Sequence, residues 1–137
     1  MQNKQAAAWI IDTLRQTAWA PILVFLFYVV ALSLQLFVFF PPLDIPTHFM
    51  GGVAITYFYR VSIRNVQKLV GEIPFPIQVL FAFTCTGTTT IFWEFYEYLV
   101  DFFFGTHMVR GVTDTAVDFF AGLMGALVFT LLYRQRS

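Results

Sequence analysis

Acidic side chains recur inside an otherwise apolar stretch of the sequence, FWEFYEYLVDFFFG. Its acids, Glu94, Glu97 and Asp101, are spaced i, i+3 and i+7, so they share one face of a helix. Asp114 and Asp118, spaced i and i+4, repeat the pattern in the next apolar segment. Carboxylates this close repel one another unless protons or a cation neutralise them. The spacing therefore indicates a cation-binding site.

A histidine completes the candidate ligand set. It follows a proline-rich turn and precedes another apolar segment. A carboxylate-rich set with one imidazole suits Mg²⁺, Mn²⁺, Ca²⁺, Fe²⁺ or Zn²⁺ without selecting one of them. The set therefore predicts a divalent metal ion of unspecified identity, with bound protons as the alternative. The predicted metal ligands are His48, Glu94, Glu97, Asp101, Asp114 and Asp118.

Several of these polar residues, and others near them, also have a purely structural interpretation. Arg110 is predicted to bind a phosphate of the substrate, and pairing with one of the acids is the alternative. Asp114 also suits the first turn of a helix, where the helix dipole stabilises a carboxylate. Asp44 fits either a ligand role or the shaping of the proline-rich turn. His107 falls in a short loop, where solvation alone accounts for it.

The composition places these polar groups in a membrane protein. The chain has 137 residues, of which 58% are hydrophobic and 12% charged, and its mean hydropathy is +0.71. A soluble domain of this length has too much surface to bury so much apolar area. The formal net charge is zero and no basic face exists, which argues against nucleic acid as a partner. A single cysteine, Cys85, excludes an internal disulfide and a thiolate metal cluster.

Four apolar segments predict an all-α, integral membrane four-helix bundle. Residues 1–17 are interpreted as a cytoplasmic or interfacial lead-in, 18–133 as the transmembrane domain and 134–137 as a cytoplasmic tail. A re-entrant path is the alternative for the second span, which is short. The four spans are predicted at about residues 18–40, 47–63, 74–104 and 112–133.

The basic residues predict that both termini face the cytoplasm (N-in/C-in). With four spans, seven of the eight lysines and arginines fall on one side and only Arg110 on the other. The outer ends of the second, third and fourth spans then bring His48 and the acids to one depth. On each of these helices, glycines follow on the same face toward the cytoplasmic side, where they favour close packing of the helices. The sequence therefore predicts a pocket that opens outward.

Three segments, DIPTHFMGG, WEFYEYLVD and GVTDTAVDFFAGLMGAL, resemble the motifs of the YjdF-like small inner-membrane proteins of bacteria. They cover about residues 43–127. More distantly, the layout is similar to that of VanZ-like membrane proteins. Ile45 stands where the pattern often has lysine, and Gly122 where it often has asparagine, so one polar ligand is missing. The resemblance implies a multi-pass protein of the bacterial inner membrane, and the VanZ-like layout adds a weak hint of a role in the cell envelope.

Two functions from different classes fit the sequence. The first is a metal-dependent enzyme that acts on a lipid headgroup or a lipid-linked envelope intermediate, with one acid as general base on a metal-bound water. The second is a non-catalytic membrane protein, either an ion- or proton-binding transporter or a structural subunit. Four helices are few for alternating access, although a homo-oligomer, which the glycine-rich fourth span permits, would supply more. The lipid bilayer is the expected partner in both cases.

Cysteine labelling tests the predicted orientation. In a Cys85→Ala background, His107→Cys is expected to react with a membrane-impermeant maleimide in intact spheroplasts, because its loop is predicted to face outward. Lys68→Cys is expected to react only after the membrane is permeabilised. The opposite labelling pattern would overturn the assigned orientation.

Overall fold

The computed structural model describes residues 2–133, and the side chains from residue 7 onward. All regular elements in this part of the chain are helical. The tail predicted at residues 134–137 lies outside the described residues. The helices are α1 (Gln2–Thr17), α2 (Trp19–Ser33), α3 (Leu36–Phe39), α4 (Asp44–Val70), α5 (Phe75–Phe104) and α6 (Val112–Leu132), with a 3₁₀ turn at Pro41–Leu43 before α4.

Two helices, α5 and α6, are long and apolar enough to cross a membrane. A third candidate span forms if α1 from Ala7 onward and α2 are taken together, although they are bent by 52° at their junction. Helix α4 is long enough but is not apolar enough to be counted among these candidate spans. The structure thus supports two or three spans by length and composition, and a crossing by α4 stays a prediction.

The helix boundaries differ from the predicted spans at two places. The segment predicted as one span at 18–40 is broken, because α2 ends at Ser33 and Gln35 takes a left-handed conformation with φ 56°. The polar segment after residue 63 is helical up to Val70. Gly71 ends α4 with φ 90°, a conformation open to glycine but unfavourable for other residues.

Helix α4 lies at the centre of the fold and packs against α6, α5, α1 and α2. Its closest neighbour is α6, because glycines remove the side chains between the two backbones. A Cβ atom built on Gly52 would overlap the carbonyl of Gly122, and one on Gly125 would overlap the carbonyl of Phe49. Small residues at such contacts are typical of helix pairs in membranes.

The buried and exposed side chains are distributed as a lipid environment predicts. Small residues fill much of the core, while large apolar side chains cover the outside of α2, α5 and α6. In water this arrangement would expose an unfavourable apolar surface, but hydrocarbon imposes no such penalty. The buried small residues include Ala20, Ala31, Ala54, Ala82, Ala121 and Ala126.

Adjacent glycines of α4 provide a test of this packing. Gly52→Ala is expected to lower the free energy of unfolding by about 1–3 kcal/mol, because the new methyl group overlaps the α6 backbone. Gly51→Ala is the matched control, since a Cβ atom there meets nothing within 4 Å and alanine favours the helix. Thermal unfolding in detergent compares the two variants. Equal effects would contradict the close contact between α4 and α6.

Candidate functional site

His48, in the second turn of α4, lies among carboxylates from three helices. Its Nε2 atom is 3.4 Å from Asp44 Oδ1 of the same helix and 3.8 Å from Asp118 Oδ1 of α6. Its Nδ1 atom is 3.8 Å from Glu94 Oε1 of α5. His48, Glu94 and Asp118 are all buried. The imidazole therefore has acidic neighbours on both of its nitrogen sides.

Two groups of three residues share this histidine and have the size of a metal site. One consists of Asp44, His48 and Asp118, and the other of His48, Glu94 and Glu97. Within each group, one potential ligand atom per residue lies within 4.8 Å of the others. Glu97 is also buried, and one of its oxygens accepts a hydrogen bond from the indole nitrogen of Trp93 at 3.0 Å. We refer to Asp44, His48, Glu94, Glu97 and Asp118 as the His48 cluster.

Two carboxylate oxygens of the His48 cluster are buried without a hydrogen bond from any described residue. They are Oε1 of Glu94 and Oδ1 of Asp118, on opposite sides of the imidazole. A buried anionic oxygen that lacks a donor is costly, and proteins normally pair such a group with a proton, a cation or a metal ion. These two oxygens are the strongest sign of a ligand.

The acids outnumber the basic groups at this end of the molecule. Five carboxylates face two side chains that can carry positive charge, His48 and Arg110. Even with the imidazole protonated, three negative charges lack a counter-charge among the described side chains of the cluster and Arg110. The five carboxylates are Asp44, Glu94, Glu97, Asp114 and Asp118.

Arg110 closes the outer edge of the His48 cluster. Its guanidinium pairs with Asp44 and lies 3.2 Å from Asp114, whose other oxygen accepts the backbone N–H of Arg110 at 3.0 Å. Burial lowers the pKa of this guanidinium, but Asp114 and Asp44 outweigh burial and raise it above its ordinary value. Its side chain remains 41% exposed, so a ligand from solution can reach it. Asp114 is engaged by Arg110 and belongs to neither group of three.

Asp101 has a role that its helical spacing does not reveal. Its carboxylate accepts hydrogen bonds from the Thr106 hydroxyl at 2.5 Å and from the backbone N–H groups of Met108 and Val109, both at 2.8 Å. It therefore fixes the loop between α5 and α6, and it lies outside both groups of three. His107, in the same loop, is exposed and also lies outside them.

Tyr28 is a neighbour of the site that sequence reasoning missed. Its ring packs edge-on against Trp93, with centroids 4.8 Å apart, and its hydroxyl donates to the sulfur of Met108 at 2.9 Å. It thereby ties α2 to α5 and to the loop after α5. A single tyrosine in an apolar helix carries no spacing signal that would have identified it.

A substitution at Asp101 tests its role in the loop. Asp101→Asn replaces one acceptor oxygen by a donor and removes the charge, so hydrogen bonds worth about 1.5–3 kcal/mol each are weakened. We expect faster hydrogen exchange at the amides of Met108 and Val109. Asp12→Asn in α1 is the matched control and should leave those amides unchanged. Unaltered exchange in Asp101→Asn would contradict the assigned role.

Comparison with known families bears on the membrane assignment. The family model of a predicted membrane protein, DUF2238, matches residues 6–137. No curated protein and no solved structure matches the chain. These comparisons therefore support the assignment to the class of membrane proteins, but they do not support the likeness to VanZ-like proteins. The chain belongs to the DUF2238 family of predicted membrane proteins.

Proposed function

We propose that this protein is a multi-pass, YjdF-like inner-membrane protein whose His48 cluster binds a divalent cation near the extracytoplasmic face. The observation that carries the proposal is a pair of buried oxygens, Glu94 Oε1 and Asp118 Oδ1, that accept no hydrogen bond from the part of the chain that the structure describes. They come from different helices and approach His48 from opposite sides. A cation supplies the missing partner and offsets the excess of negative charge.

The distances around His48 support a bound ion over direct hydrogen bonds. Nitrogen–oxygen separations of 3.4 and 3.8 Å are longer than ordinary hydrogen bonds. Two ligand atoms that each lie about 2.0–2.4 Å from a shared cation are separated by roughly 3–4 Å. The separations around His48 therefore fit ligands that share one ion, which supports the proposal.

The His48 cluster would bind one cation at a time, because a neutral imidazole offers a metal ion only one of its two nitrogens. A nitrogen that binds a metal ion has no proton, while the second nitrogen normally keeps its proton and donates it to a carboxylate or carbonyl. Binding on the Nε2 side uses Asp44 and Asp118, and leaves Glu94 to orient the ring from the Nδ1 side. Binding on the Nδ1 side reverses these roles.

An enzymatic role at the membrane surface is the function we favour for such a site. A bound divalent cation would activate a water molecule or polarise a phosphoryl or acyl oxygen. A carboxylate of the cluster would accept a proton, and the exposed part of Arg110 would bind a phosphate. A lipid headgroup or a lipid-linked envelope intermediate fits these groups.

A proton-binding or structural role is the second candidate. Its support is the pairing of His48 with Asp44, which becomes an ion pair if the imidazole is protonated. Protons on the remaining carboxylates would then satisfy the buried oxygens without a metal ion. A transporter subunit or a structural subunit would use the cluster in this way.

Metal analysis distinguishes the two candidates. The detergent-purified protein is expected to retain about one divalent cation per chain. Glu94→Gln is expected to weaken its binding by at least about tenfold, because Glu94 either binds the ion or orients the imidazole that binds it. Glu72→Gln, the same change in the exposed loop before α5, is the control and should bind the cation normally. Removal of the ion with EDTA should lower the melting temperature of the wild type more than that of Glu94→Gln. A wild-type protein that binds no divalent cation would overturn the proposal and leave the proton-binding role.

A further inference from the structure

An apolar cavity of about 230 Å³ lies between α2, α4 and α5 and begins beside the His48 cluster. His48 contributes to both the cluster and the wall of the cavity. Val24 and Phe25 form the α2 side, Ile55 the α4 side and Trp93 the α5 side. The cavity therefore connects the charged cluster with an apolar space deeper among the helices.

The threonines on the cavity wall offer little to a polar ligand. The hydroxyl of Thr47 donates to the carbonyl of Leu43 at 2.7 Å, and the hydroxyl of Thr89 donates to Cys85 at 2.8 Å. The hydroxyl of Thr86 likewise donates to the carbonyl of Ala82 within α5. Because these donors are used within their own helices, the cavity resembles hydrocarbon and does not favour water.

Gly51 keeps the cavity open. It faces the cavity, and a Cβ atom built on it would meet nothing within 4 Å. Its neighbour Gly52 instead allows the close approach of α6. Since protein interiors are normally packed without large voids, a glycine next to unfilled space indicates room for something other than the protein's own side chains.

The cavity is partly open to the outside of the fold, and both α2 and α5 contribute to its wall. Phe25 on its wall is 44% exposed, and the outward faces of both helices carry large apolar side chains. In a membrane, the solvent at that opening is lipid hydrocarbon. An apolar cavity of about 150 Å³ already accepts a benzene-sized group, so this one has room for a segment of a hydrocarbon chain.

We propose that one acyl chain of a bilayer lipid occupies this cavity, so that the lipid headgroup lies at the His48 cluster. The chain contacts the apolar wall, while the headgroup reaches the ion and Arg110. The placement of the headgroup rests on the proposed function. The occupancy of the cavity by the chain rests only on its shape, its apolar wall and its opening.

Photo-crosslinking tests the proposal in vesicles of phosphatidylethanolamine and phosphatidylglycerol that contain a phosphatidylethanolamine with a diazirine in one acyl chain. The wild-type protein is expected to be labelled at cavity residues such as Val24 and Ile55. Gly51→Leu fills the cavity and is expected to lose this labelling while it still binds the cation. Thr88→Leu, on the exposed face of α5, is the control and should be labelled like the wild type.

A second variant and the cation measurement keep the outcomes distinct. If Gly51→Leu does not fold, Ile55→Phe narrows the cavity from the same helix and is expected to give the same loss. Cavity labelling in a wild-type protein that binds no cation would support the acyl-chain site and overturn only the proposed function. Labelling that persists in a folded cavity-filling variant would overturn the acyl-chain site, as would a wild-type cavity that is covered by a second copy of the chain and is not labelled.

Discussion

The contact between the backbones of α4 and α6 determines where the polar groups meet. Gly52 and Gly122 lie against each other, and His48 and Asp118 each stand four residues earlier in their helices, on the same face. These two side chains of the candidate site therefore lie one turn from the glycine contact. On α5, Thr90 lies against Gly122 of α6 and stands one turn before Glu94. Glu94 therefore lies at the same depth as His48 and Asp118.

Burial makes the negative charge of the His48 cluster costly. Arg110 serves Asp44 and Asp114 at the outer edge, where solvent screens their interaction. Farther in, Glu94 and Asp118 each have one oxygen that accepts no hydrogen bond within residues 7–133, and the low dielectric raises the free energy of an uncompensated charge there. The proposed cation would supply the missing positive charge, and the apolar cavity that starts at the same histidine would give the proposed acyl chain access to the site.

Much of this arrangement could be predicted from spacing and composition, and the all-helical membrane class is confirmed. Helical periodicity identified Glu94 and Glu97 as neighbours on one face, but it could not separate them from Asp101, which has the same periodicity and instead binds a loop. The break at Gln35 had no glycine or proline to signal it. Asp44 was ambiguous because the turn that precedes α4 leads directly into the helix on which the cluster is built.

The length of α5 sets how the protein sits in a bilayer. Its 30 residues rise about 45 Å, whereas the hydrocarbon layer is about 30 Å thick; the 21 residues of α6 rise about 32 Å and match it. If α5 crosses the bilayer, tilt alone would need a larger angle than membrane helices usually adopt, so part of α5 would also project into the headgroup layer. Its final residues, Phe102, Phe103 and Phe104, are each at least 70% exposed. A thicker hydrocarbon layer would cover more of these apolar rings and so lower the free energy of the embedded protein. Hydrophobic mismatch at this end of α5 would therefore favour thicker bilayers over thinner ones.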